Sequence, residues 1–217
     1  MAKKELERRA YSFDVAAEEN ENGHTITGRP IVYNSRTDMG FFDEIIDEGA
    51  LNATDLTDVR FLVNHDTKKI PLARSRKNTT NSTMQLTPDN EGLKIRVSLD
   101  TENNADARSL YSAVKRGDIT GMSFMFGVER EEWENLESEH PLRRIKEISS
   151  VVEVSAVTFP AYEATEIQAR SKEALDNARL AVDTARAKSA KNNGSVDTEL
   201  ELLKAKTQTL ILLGGAR

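Results

Sequence analysis

Along the first 100 residues, hydrophobic and polar positions alternate with a period of two, the spacing of strands that bury one face. Tyr11-Ser12-Phe13-Asp14-Val15 and His24-Thr25-Ile26-Thr27-Gly28 read as a hairpin across the polar turn Glu19-Asn20-Glu21-Asn22-Gly23, and Ile31-Val32-Tyr33 continues the second strand past Pro30. Phe41 to Ile46 leads through Gly49 to a short helix predicted near Ala50 to Leu56. Arg60-Phe61-Leu62-Val63 is a brief apolar strand that ends in Asn64, His65 and Asp66. Pro71-Leu72-Ala73-Arg74 begins another. Ser82 to Leu86 and Leu93 to Val97 flank the turn Pro88-Asp89-Asn90-Glu91-Gly92 as a clear hairpin.

The period then changes. Between Asn103 and Arg116, Ala107, Leu110, Tyr111 and Val114 are spaced for one helical face, and Gly117 stands where a helix C-cap would. From Gly117 to Gly127 the alternation returns: Met122, Phe124, Phe126 and Val128 form an apolar face, and Ser123 points off the other. Glu129 to Arg144 is strongly charged and reads as exposed, with a turn at His140-Pro141. Ile145 to Pro160 is strand-like again, and Glu153 is the only charge between Ile148 and Tyr162. Beyond Tyr162, Ser171, Leu175, Ala178, Val182, Ala185 and Ser189 recur at steps of four and three, the narrow stripe of a helix packing on another helix. Asn192-Asn193-Gly194-Ser195 breaks the stripe. A second helix follows, with Val196, Leu200, Leu203, Thr207 and Leu210 in line and Gly214-Gly215 as its stop. The pattern describes a β-rich α+β body and a helical extension of hairpin or coiled-coil character.

Composition narrows the function more than the fold. In 217 residues, 38% are hydrophobic and 30% charged, enough to build a core over one ordinary domain but not over the whole length. A formal net charge of -6 and a sequence pI near 5.3 argue against nucleic acid as a partner. The absence of cysteine excludes disulfides, thiol chemistry and thiolate metal sites, and suits a reducing cytoplasm. No apolar run approaches the roughly 20 residues needed to span a bilayer, so a soluble, unexported chain with no membrane partner is expected.

Three positions then carry the candidate chemistry: His65, Ser123 and Glu153, each at the close of a β segment. A serine hydroxyl is a weak nucleophile unless a base lies within hydrogen-bond reach and a third group orients that base. His65 shares parity with Phe61 and Val63, which places its imidazole at the edge of the core, where it reads as a hydrogen-bonded strand cap or, with a carboxylate neighbour to tune it, as a base. Glu153 is either a buried carboxylate in need of a partner, which a histidine would supply, or a residue of an edge strand facing water. His140 is the rival third member. His24 lies in a hairpin turn, and Ser155 shares a strand face with Glu153. Oxyanion donors could come from Arg143-Arg144 or from the glycine-flanked approach to Ser123. The three scattered histidines form no recognisable metal-ligand set and no phosphate-binding glycine motif occurs, so no metal or cofactor is expected.

Five segments taken together resemble the prohead maturation proteases of tailed bacteriophages: Phe42-Asp43-Glu44-Ile45-Ile46 with Gly49-Ala50; Val63-Asn64-His65-Asp66; Pro71-Leu72-Ala73-Arg74; Gly121-Met122-Ser123-Phe124-Met125-Phe126; and Glu153-Val154-Ser155-Ala156-Val157-Thr158-Phe159-Pro160-Ala161. The resemblance spans roughly residues 9 to 165. It implies a serine endopeptidase with a fold similar to herpesvirus assemblin, a β-barrel surrounded by helices, and a protease domain over 1–165; the helical segment over 166–217 lies outside the resemblance, and its coiled-coil spacing and the break at 192–195 suggest a scaffold-like or assembly extension. The resemblance further implies Ser123 as nucleophile, His65 as base and Glu153 as acidic third member; the herpesvirus relatives use a second histidine there, which keeps His140 in play. Ala73 departs from a glycine frequent in the family. The implied substrates are the major capsid protein precursor and scaffold, cut inside the assembling procapsid in the host cytoplasm, often with self-cleavage; homo-oligomers are a further expectation. The alternative is a non-catalytic capsid assembly or scaffolding protein that keeps the fold.

Overall fold

A computed structural model of the chain describes residues 6–11, 15–20, 23–158, 176 and 178–191. Among these, eleven strands sort into two sheets. Strands β1 (Leu6–Tyr11), β10 (Gly121–Glu134), β11 (Leu142–Val157), β5 (Asp43–Ile46) and β4 (Thr37–Asp38) lie side by side in the larger sheet, and β6 (Arg60–Val63) joins β11 to β7 (Ala73–Arg74). The smaller sheet runs β2 (Ala16–Asn20), β3 (Gly23–Val32), β9 (Gly92–Leu99) and β8 (Met84–Pro88). The apolar faces of both sheets and of helix α1 (Ala105–Arg116) share one core, which includes Ile26, Phe61, Val97, Leu110, Phe124 and Val154.

Much of the predicted pattern is present. The hairpin β8–β9 forms as expected, and Gly92 shows why its turn ends in glycine: a Cβ there would lie 2.0 Å from the Ile31 carbonyl oxygen. Helix α1 buries Ala107, Leu110, Tyr111 and Val114, the four positions its period singles out. Asn104 caps its start by accepting from the Asp106 and Ala107 amides, and Gly117 ends it at φ 80°.

Other expectations are corrected. The first hairpin pairs β2 with β3, so its first strand takes in Glu19 and Asn20 of the expected turn. A separate strand, β1, crosses to the other sheet and pairs with β10. Ala50 to Leu56 forms turns, not a helix. Glu129 to Arg144 is no exposed loop: β10 runs on to Glu134 and β11 starts at Leu142, and the ladder absorbs several bulges between Met125 and Glu131. Those bulges shift the parity of β11, whose core positions Ile145, Ile148, Val151 and Val154 step by three instead of two. Among the described residues the pairings stop at β1 and β4 in one sheet and at β2 and β8 in the other. The body is therefore a strand-rich α+β arrangement of two open sheets, without the closed barrel that was expected.

A second helix, α2, covers 178–191. Its buried residues Ala178 and Val182 pack on Phe42, with Met39 and Trp133 alongside, and Arg186 donates to the carbonyls of Leu136 and Ser138. The stripe that read as a helix–helix seam thus lies, where it is described, on the β body. Ser171, Leu175 and the helix expected after Asn192 lie outside the described residues, as do Phe159 to Ala161.

Candidate active site

β11 holds the centre of the larger sheet, with β10 on one side and β5 and β6 on the other. Side chains at paired positions share a face, so the register fixes which residues meet. Met122, Phe124, Val154, Ala156 and Phe61 face the core. The opposite face carries Ser123 opposite Ser155, with Glu153 two residues along and Leu62 beside Ser155 on β6. Glu153 is consequently no edge residue facing water; it is 4% exposed in a central strand.

His65 reaches this face through a local reversal. After β6, Asn64 (φ 50°) and His65 (φ 58°) both adopt the left-handed conformation, tolerated more readily by asparagine and histidine than by most residues. Asn64 is held there by its amide, which donates to the Ala156 carbonyl, and by its side chain, whose Oδ1 accepts from the Thr158 amide at 2.9 Å. The turn breaks the parity with Phe61 and Val63 and swings the imidazole over the face that Leu62 occupies.

There His65 Nδ1 lies 2.6 Å from Glu153 Oε2. An ionised carboxylate only accepts, so Nδ1 carries the proton and Nε2 is left as the basic nitrogen. Ser155 binds both partners: its Oγ accepts from the His65 amide at 3.0 Å and donates to Glu153 Oε1. The buried carboxylate thus has a hydrogen-bond donor on each oxygen, which offsets the desolvation that would otherwise expel it. Ser123, 1% exposed, donates its hydroxyl to the Arg9 carbonyl of β1 at 2.8 Å; among the described residues no hydrogen bond joins it to His65.

The remaining candidates lie elsewhere. His140 is exposed and pairs with Asp43 through Nε2 at 3.0 Å. His24 Nδ1 contacts the Thr101 hydroxyl at 2.6 Å. Arg143 is enclosed by Glu7, Glu44 and Glu131, and Arg144 is bound to Asp47, so both guanidinium groups are engaged in ion pairs. Two features were not legible in the sequence. One is the role of Ser155, a candidate there only for its shared face with Glu153: it bridges that carboxylate and the His65 amide. The other is the buried ionic cluster in which Arg9 and Arg143 both bind Glu44, a residue 1% exposed. Burial opposes the charges of Arg9 and Arg143, but the surrounding carboxylates outweigh it and raise both pKa values; burial likewise opposes ionisation of Glu7, yet Arg143 and Arg9 hold it at about 2.

An imidazole held by a buried carboxylate, on one sheet face with a serine of the neighbouring strand, is an arrangement suited to serine hydrolase chemistry. The sequence matches the caudovirus prohead serine protease family over residues 11–179, most of its length, and the chain belongs to that family. Among solved structures it is similar to the capsid assembly protease of bacteriophage T4, with 12% identity and a TM-score of 0.43 over 71% of this chain and 98% of that one. No curated protein sequence matches it.

Proposed function

We propose that the chain is a serine endopeptidase of capsid maturation in which Ser123 is the nucleophile, His65 the base and Glu153 the residue that orients it. The observation that carries this reading is the His65–Glu153 pair on the sheet face of Ser123. In the reaction, Nε2 of His65 takes the Ser123 proton as Oγ bonds to the scissile carbonyl carbon. The carbon–nitrogen bond then breaks, the proton passes to the leaving amine, and water releases the acyl group by the same route. Glu153 stabilises the imidazolium that forms in each half. The Ser123 hydroxyl must first rotate away from the Arg9 carbonyl.

Membership of the prohead protease family supports the major capsid protein precursor and the scaffold as substrates, met inside the procapsid as it assembles in the host. The 166–217 extension is read as an assembly arm that self-cleavage removes. The test mixes capsid precursor with the wild-type chain or with Ser123→Ala, within assembling particles, and follows both masses. Cleavage by the wild type alone is expected; equal precursor cleavage with both chains would overturn the enzymatic reading. Identical full-length masses of wild type and variant after long incubation would count against self-cleavage.

The Ser123–Arg9 hydrogen bond favours a second reading, a non-catalytic assembly protein that keeps the fold. A fluorophosphonate probe separates the two, since covalent labelling lost in Ser123→Ala requires an activated serine.

A further inference from the structure

Between α1 and the loop 66–72 lies a groove of about 270 Å³, walled by Leu62, Leu72, Leu110, Ala113 and Ile119, with Ile70 among its lining residues. It exists because the flank of α1 that faces it, at positions 106, 109, 110 and 113, carries small side chains at Ser109 and Ala113. Ile70 is 85% exposed, the most exposed of the large apolar residues described. Lys69, paired with Asp106 at 3.0 Å, ties the loop to the helix.

Two paths of the chain connect this groove to the candidate active site. Leu62 is the strand partner of Ser155, and Val63, which also lines the groove, leads directly into the turn that carries His65. On the other side, Ile119 lies in the connection from α1 to β10, four residues before Ser123. Ser123, Ser155 and Leu62 thus lie in one row across β10, β11 and β6, so a wall of the groove shares a sheet face with the candidate nucleophile, two strands away. At about 270 Å³ the groove has room for a large apolar side chain.

We infer that the groove is the specificity pocket for one large apolar side chain of the substrate polypeptide, close to the scissile bond. The inference rests on the endopeptidase reading. Ile70 and Leu72 close over the side chain from the loop, and Leu62 and Leu110 form the floor. A polar residue at that substrate position would exchange its water for walls that are mostly apolar, and an acidic one would meet the carboxylates of Asp66 and Asp106, which also line the groove, so selection by about 10- to 100-fold in kcat/KM is expected.

The test uses the full chain, a positional-scanning hexapeptide library and fluorophosphonate labelling of Ser123. The wild type is expected to favour leucine, isoleucine or methionine over serine and aspartate at one position. Ser109→Phe, which fills the groove from an exposed helix position, should abolish that preference while the labelling rate of Ser123 is unchanged; Ile70→Ser should reduce it at least threefold. Normal labelling with cleavage indifferent to apolar residues, or a preference that survives both substitutions, overturns the pocket and leaves the endopeptidase reading intact. Absence of both labelling and cleavage in the wild type overturns the endopeptidase reading, and the pocket with it.

Discussion

Ser155 shows how much of this site depends on a side chain with no reactive role of its own. It binds the His65 amide and the Glu153 carboxylate at once, and so sets the position of one against the other. Replacing Ser155 with alanine removes a hydrogen bond to a buried charge, worth about 1.5–3 kcal/mol. We expect kcat/KM to fall about 10- to 100-fold, and Ser155→Thr to recover part of the loss; equal loss in both variants would argue for a packing role instead. Glu153→Gln should be harsher, at about 10⁴-fold in kcat, because an amide cannot hold the imidazole in the required tautomer. At this scale the sequence was partly legible. It named His65, Ser123 and Glu153, but parity placed His65 with Phe61 and Val63. Two consecutive left-handed residues reversed that placement, and no alternation pattern registers a change in backbone sign.

At the scale of elements, local signals were enough for helix α1, though not at Ala50 to Leu56, where cap-like residues stand in turns. Helix α1 begins at Asn104, ends at Gly117 and buries four residues on a 3.6-residue period, all of it written in neighbouring residues. Asn104→Ala leaves two amides of the first turn without their acceptor and should cost about 1 kcal/mol. In thermal unfolding that appears as a Tm lower by about 2–4 °C. The β10–β11 hairpin behaved differently. Its outer half is rich in charge and reads as a loop, yet the strands continue there because Arg143 and Arg9 pair with Glu131, Glu7 and Glu44 across four strands. A charge is cheap to bury only beside its opposite, and that neighbour lies 99 residues away in the case of Arg143 and Glu44. Helix α2 carries the same lesson. Its apolar stripe was plain, but its partner, Phe42, was not.

Across the whole molecule, the ionic cluster joins β1, β5, β10 and β11, so it should govern how the body responds to acid. Glu7 is held at about 2, against an ordinary value of 4.5. A carboxyl depressed on folding contributes stability that is fully present above 4.5 and is lost as pH falls from there toward 2. Glu7→Gln should therefore lower stability at neutral pH by about 1–3 kcal/mol and flatten the acid limb of a stability-against-pH curve measured by urea unfolding. An unchanged acid limb would show that the cluster does not control it. Because β1 also supplies the Arg9 carbonyl that accepts from Ser123, the same substitution reports on the candidate site. Loosening β1 should change the rate of fluorophosphonate labelling.

The sequence by itself determined helix α1 with its caps and the β8–β9 hairpin with its turn, and it named His65, Ser123 and Glu153, in order along the chain, as candidates for base, nucleophile and acid. Those properties depend on residue type and short spacing. Only the tertiary structure decided that Glu153 sits in a central strand, that His65 turns back onto its face, that β1 pairs beside Ser123 and that two open sheets share one core. Each of these follows from pairing between distant segments, where the register of one strand on another selects the neighbours.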